Sequence, residues 1–136
     1  MMEMEKKASF RYGKQNQMLV KRGELWRADL SGLDPYNRNE VILLILQNDM
    51  GNRFSPTSIA VLSATEDQED DQYIETVYRK TSYGFLKIRL DVCQLSTIDK
   101  RGRLIERLGR VNDRILENIE RKYAVLLKGE SVKYFV

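Results

Sequence analysis

Residues 41–57 read VILLILQNDMGNRFSPT. The first half is a short β-branched run without polar interruption. That pattern fits a strand buried on both faces. The second half changes at once to amides, an aspartate, a glycine, an arginine and a proline, which is turn chemistry. Polar side chains gathered at the mouth of a buried strand mark a candidate site. The fold around it follows from its neighbours on either side.

Upstream, ELWRADL (24–30) alternates, with Trp26, Ala28 and Leu30 on one side of a half-buried strand. LSGLDPYNRNE (30–40) reads as a loop. Downstream, SIAVLS (58–63) is a third strand, and ATEDQEDDQ (64–72) is an acidic loop. Weak alternation over 73–78, strong alternation over 86–95 and a further run at 103–111 predict more strands. Then the period changes. Ile115, Leu116, Ile119, Tyr123, Leu126 and Leu127 recur at three and four, giving an amphipathic helix between Asn112 as N-cap and Gly129 beyond its end. Several short strands followed by one packing helix predict an α+β fold, a small curled β-barrel closed by a helix.

The chain has 136 residues, 42% of them hydrophobic and 32% charged, which suits one folded domain. Residues 1–19 are expected to be a basic, flexible extension, with the domain at 20–136. Its longest apolar run, Val41–Leu46, is far short of the ~20 residues of a membrane span. The N-terminus lacks an apolar h-region, and the lone Cys93 permits no intrachain disulfide, so a cytoplasmic location is expected. Net charge is +3, concentrated in residues 1–22 and in a second zone, Lys100 to Arg110. Between them Glu66–Glu75 is acidic throughout. There is no histidine, which excludes histidine acid–base chemistry and histidine-ligated metals; one cysteine cannot build a thiolate zinc site. No cofactor or metal is expected.

VKRGELWRADL (20–30), LLILQNDMGNRFSPT (43–57) and CQLSTIDK (93–100) resemble three motifs of the MazF/PemK toxin family. Those motifs run R-G-[DE]-[VLI]-[WY], then R-P-[VCA]-L-[VI]-[IL]-Q-N-[DE], then [DE]-Q-x-[RK]-[TS]-[IL]-D. The resemblance spans about Val20 to Leu127. It implies an SH3-like barrel with a C-terminal helix, shared with the MazF and CcdB toxins, in a homodimer. It further implies binding of single-stranded RNA, metal-independent endoribonuclease (mRNA interferase) activity, and silencing by a cognate antitoxin with an acidic C-terminal tail. Binding to operator DNA would come through the antitoxin complex.

Residue by residue, the family's catalytic arginine falls on Val41 and its catalytic threonine on Ala64. If this chain keeps the chemistry, Arg38, the nearest arginine, is the candidate cation, and Ser63 or Thr65, on either side of Ala64, the candidate hydroxyl. Asn48, Arg53, Gln94 and Arg89 are the candidate RNA-binding residues. The alternative is a binding protein that holds RNA, DNA or antitoxin without cleaving. Arg53 has a competing structural role as an ion-pair partner of Asp49, and Asn48 as a turn cap. Trp26 and Cys93 are expected in the core, Cys93 as a small buried hydrophobe. The acidic loop either repels phosphate and mimics an acidic tail or serves solubility.

Overall fold

The computed structural model describes residues 19–129. The expected extension, apart from Leu19, and the last seven residues of the expected domain lie outside them. Six strands form one antiparallel sheet: β1 Glu24–Asp29, β2 Glu40–Ile45, β3 Thr57–Ser63, β4 Ile74–Thr81, β5 Gly84–Asp99 and β6 Leu104–Arg110. Their spatial order is β4-β5-β3-β2-β1-β6. The helices are α1 Asp49–Phe54, α2 Lys100–Arg103 and α3 Asp113–Lys128. This is the α+β architecture the sequence predicts: a curled half-barrel sheet with a C-terminal helix.

The apolar run of β2 explains the centre. Leu43 and Ile45 join one core cluster with Trp26, Ala28, Leu30, Leu62 and Ile98. Leu44 points the other way, into a second cluster with Leu25, Val61, Leu90, Leu116 and Ile119. A central strand with core on both faces has no room for alternation with polar residues, hence VILLIL. α3 covers the second cluster. Asn112 Oδ1 caps its first turn by accepting from Ile115 N at 3.1 Å, and Gly129 N closes its end on Val125 O at 2.9 Å. Leu116 and Ile119 are its buried contacts, each contributing about 1.5–3 kcal/mol.

Sheet curl has identifiable causes. Between Val61↔Leu95 and Leu62↔Asp91, Val92, Cys93 and Gln94 are extra residues on β5, a three-residue bulge that bends the strand. Where the two edge strands approach, Gly109 has φ +149°, and a Cβ there would stand 2.9 Å from Arg79 Nε. A side chain at 109 would displace the Arg79 side chain and would itself be strained at this positive φ. Among the described residues, no helix is long and apolar enough to cross a membrane.

Three expectations need correction. NDMGNRFSPT is not turn throughout: residues 49–54 form α1, because Asn48 Oδ1 caps Gly51 N at 2.8 Å and buried Asn52 ties the helix to Gln47 and Ser58. Cys93 is exposed, not core, because in the bulge its neighbours Val92 and Gln94 take the inward positions. Asp49 does not pair with Arg53. Its Oδ1 accepts from Arg22 N at 2.7 Å, while the Arg53 guanidinium lies 5.5 Å from the Phe54 ring centre. Trp26 is in the core as expected.

Candidate RNA-cleaving pocket

The β1–β2 loop winds around one carboxylate. Asp34 Oδ2 accepts from Tyr36 N at 3.1 Å and Arg38 N at 3.0 Å. The Arg38 side chain then folds back on it, Nε to Oδ2 at 2.9 Å and Nη2 to Oδ1 at 3.0 Å, a two-pronged pair. This Arg38 contact holds the Asp34 carboxyl below the usual carboxylate range, against the opposing effect of its burial. The remaining donors of the guanidinium reach across the sheet. Nη1 donates to Ser63 O at 2.9 Å and Nη2 to Gln94 Oε1 at 3.2 Å. Arg38 also lies 5.7 Å from the Tyr36 ring centre.

Arg38 thus stands in a cleft of about 710 Å³, lined by Arg27, Tyr36, Arg38, Glu40 and the start of β2 on one side, and by residues 63–67 on the other. The β2–β3 register pairs Leu43 with Leu62. Continued two residues, it sets Val41 opposite Ala64, and both line the cleft. Ser63 and Thr65 flank Ala64. Thr65 Oγ1 donates to Asp67 Oδ1 at 2.8 Å, so its hydroxyl is polarised by a carboxylate.

The acidic loop is folded rather than merely solvated. Arg89 Nε pairs with Asp70 Oδ1 at 2.8 Å, its Nη1 donates to Thr65 O at 3.1 Å and its Nη2 to Gln68 O. Gln68 Nε2 and Gln94 Nε2 both donate to Asp91 Oδ2, at 2.8 and 3.0 Å. Consequently Glu66 and Asp67 are held at the cleft. Its two arginines face three carboxylates, Glu40, Glu66 and Asp67.

Of the sequence-predicted residues, Arg38, Ser63 and Thr65 line the cleft; Gln94 lies behind it as a partner of Arg38, and Arg89 holds the Thr65 carbonyl. Asn48 and Arg53 do not reach it, because they lie beyond the far end of β2, whose stretch from Val41 to Ile45 alone spans about 13 Å. Sequence reading missed Asp34, Arg27 and Gln68. An Asp–Arg spacing of four inside a loop was the one available signal for Asp34; nothing marked Gln68. Among the described residues, no three His, Cys, Asp or Glu side chains are grouped to hold a metal ion.

Known proteins resemble this chain in sequence and in fold. Residues 21–127 match the family model described as the PemK-like, MazF-like toxin of type II toxin-antitoxin systems. The chain is 31% identical over 112 residues to endoribonuclease EndoA of Bacillus subtilis (strain 168), covering 81% of this chain and 96% of that protein. Its fold is similar to that of MazF from Deinococcus radiodurans, with TM-score 0.66 at 14% identity over 81% of this chain and 97% of that one. It is likewise similar to a mycobacterial endoribonuclease solved with its cognate antitoxin, with TM-score 0.65 at 20% identity over 82% and 98%.

Proposed function

Since this chain belongs to the PemK-like, MazF-like family of type II toxins, we propose that it is a metal-independent endoribonuclease acting on single-stranded RNA, with its cleaving site in the Arg38 cleft. The observation that carries the proposal is the reach of Arg38. The family's arginine position, Val41, is apolar, yet a guanidinium from the preceding loop occupies the same cleft beside Ser63, Thr65 and Gln94.

In the reaction the ribose 2′-oxygen forms a bond to the adjacent phosphorus, and the bond from phosphorus to the 5′-oxygen breaks. The 2′-hydroxyl loses a proton and the leaving 5′-oxygen gains one. Negative charge grows on the non-bridging oxygens in between. Arg38 supplies positive charge against it, its donors being largely committed to Asp34, Ser63 O and Gln94. The Thr65 hydroxyl, oriented by Asp67, is placed to relay a proton, with Ser63 on the other side of Ala64. Gln94, fixed by Asp91, contacts a base, and Arg89 adds positive charge at the rim. Asn48 and Arg53 would touch only RNA extending beyond the cleft.

Membership of a type II family and the similar fold of an antitoxin-bound endoribonuclease support a cognate antitoxin, whose acidic tail would compete for Arg38. A homodimer, operator DNA bound through the antitoxin complex, and a cytoplasmic site of action complete the proposal. The test is incubation of antitoxin-free protein with long mixed-sequence RNA. Fragments with 2′,3′-cyclic phosphate and 5′-hydroxyl ends are expected, lost in Arg38→Ala. RNA left intact by the wild type refutes the proposal.

A further inference from the structure

Outside the cleft, one surface has a regular chemistry that the cleaving site does not use. β4 and β5 form a hairpin in which Tyr78 stands opposite Lys87 and Lys80 opposite Phe85. Directly opposed residues share a face, as do residues two apart on one strand. Tyr78, Lys80, Phe85 and Lys87 therefore form a quartet on one face, with aromatics on one diagonal and lysines on the other. The opposite face carries Val77 and Ile88 into the core. The whole quartet is exposed, Tyr78 at 64% and Phe85 at 73%, and Tyr83 at the turn is 98% exposed.

From Thr76 to Leu90 the sequence contains no aspartate or glutamate. The surface is thus the electrostatic opposite of the acidic loop. The next rung along the same face pairs Thr76 with Arg89, whose Nη1 donates to the carbonyl of Thr65 in the cleft wall. Phe85 is four residues from Arg89, about 13 Å along the strand. The hairpin face and the cleft are one continuous surface.

Alternating aromatic and cationic side chains match a partner that presents flat rings and negative charges in turn. Unpaired nucleotides do so: bases stack on the rings and phosphates meet the ammonium groups. A second copy of the chain does not fit, because a two-fold contact would set this uniformly basic face against itself. We infer that the outer face of the β4–β5 hairpin, Tyr78, Lys80, Phe85 and Lys87, is an exosite that holds the flank of a single-stranded RNA beside the Arg38 cleft. This inference rests on RNA being the substrate.

The test uses the full chain and fluorescently labelled single-stranded RNAs of about 20 and about 5 nucleotides, read by anisotropy across a salt series. Two double variants on exposed positions are compared, Lys80→Gln/Lys87→Gln and Tyr78→Ser/Phe85→Ser, with thermal melts to verify folding. The lysine variant should bind the longer RNA about tenfold more weakly at 0.1 M salt and lower its log–log salt slope by about 1–2. The aromatic variant should weaken it about tenfold with the slope unchanged. Binding of the short RNA should not change in either. Unchanged binding of the longer RNA in both variants, with wild-type binding intact, overturns the exosite and leaves the RNA substrate standing. No binding of either RNA by the wild type overturns both. Loss of binding only to a polyglutamate peptide, or a change of oligomeric mass, assigns the face to another partner and also overturns the inference.

Discussion

Replacing Arg38 by alanine separates what the residue does for the fold from what it does for the cleft. The Asp34 side chain is 0% exposed and that of Arg38 21%. The substitution removes two charge-assisted hydrogen bonds to Asp34 and one each to Ser63 O and Gln94. Two backbone N–H donors, from Tyr36 and residue 38, stay on the carboxylate. Breaking a fully buried ion pair costs ~3–5 kcal/mol. Because Arg38 touches solvent and Asp34 keeps part of its shell, about 2–3 kcal/mol is the appropriate loss. For a domain of this size that is about 8–12 °C in Tm.

The pH dependence gives the test its edge. The Asp34 carboxyl is held below its ordinary pKa, foremost by the Arg38 hydrogen bonds. A depressed carboxyl contributes stability that is fully present above its unfolded pKa of ~3.9 and lost as pH falls through the lower folded value. Wild type and Arg38→Ala should therefore differ by the full amount at pH 7 and draw together as pH falls below about 4 toward the lower folded value. Urea melts at pH 7, 5, 4 and 3 measure this. Arg38→Lys, which keeps charge but loses the fork, should fall between the two. A gap that stays constant down to pH 3, or is under about 0.5 kcal/mol at pH 7, refutes the claim that Asp34 and Arg38 act as a pair.

Four further outcomes follow from the same geometry. Val41→Arg combined with Ala64→Thr should raise the RNA cleavage rate at least about tenfold, since the two positions face each other across β2 and β3 in the cleft wall, and single-turnover kinetics on a labelled RNA would show it. Glu66→Gln with Asp67→Asn should tighten RNA binding at 0.05 M salt by about tenfold and far less at 0.5 M, because it turns a cleft with surplus carboxylates into one with surplus arginines. Cys93 should alkylate more slowly than free cysteine at pH 8 despite its exposure, since partial desolvation first and then Asp91 and Asp71 push its thiol pKa up; Asp91→Asn should speed the reaction, as timed mass spectrometry would reveal. Tyr123→Phe should stabilise by about 1 kcal/mol in urea melts, because the buried Tyr123 hydroxyl finds no hydrogen-bond partner among the described residues.

The strands were legible where burial is regular. VILLIL names a central strand because core lies on both its faces, and the period change after residue 112 names α3 because one helix face is buried. α1 was not legible. Its residues NDMGNRF are turn formers by composition, and what makes them helical is a cap from Asn48 together with the buried Asn52 amide, which donates to Gln47 O and accepts from Ser58 Oγ. Those contacts join residues on separate elements. The burial of Cys93 was misjudged for a related reason. A bulge shifts alternation, and the register shift between Val61 and Leu62 depends on pairing across strands rather than on local sequence.

On the proposed function, the cation missing at Val41 comes from a neighbouring loop. Val41 is buried beside Leu43 and Trp26, so its position now serves the core. A cation reaches the same volume from Arg38 only because the β1–β2 loop is wound tightly on Asp34, which aims the guanidinium at β3. That winding has an electrostatic consequence. The carboxylate that positions Arg38 occupies its fork and offsets its charge, so a phosphate meets less net attraction there than at an unpaired arginine. Glu66 and Asp67 reduce it further, and Arg89 holds them there. If RNA is the substrate, its affinity comes largely from outside the cleft, and the uniformly basic, aromatic face of the β4–β5 hairpin adjoins it through Arg89. The proposal is therefore a division of labour, in which the cleft orients one phosphate while the hairpin holds the strand. It accounts for an acidic loop and a basic hairpin being neighbours in one sheet.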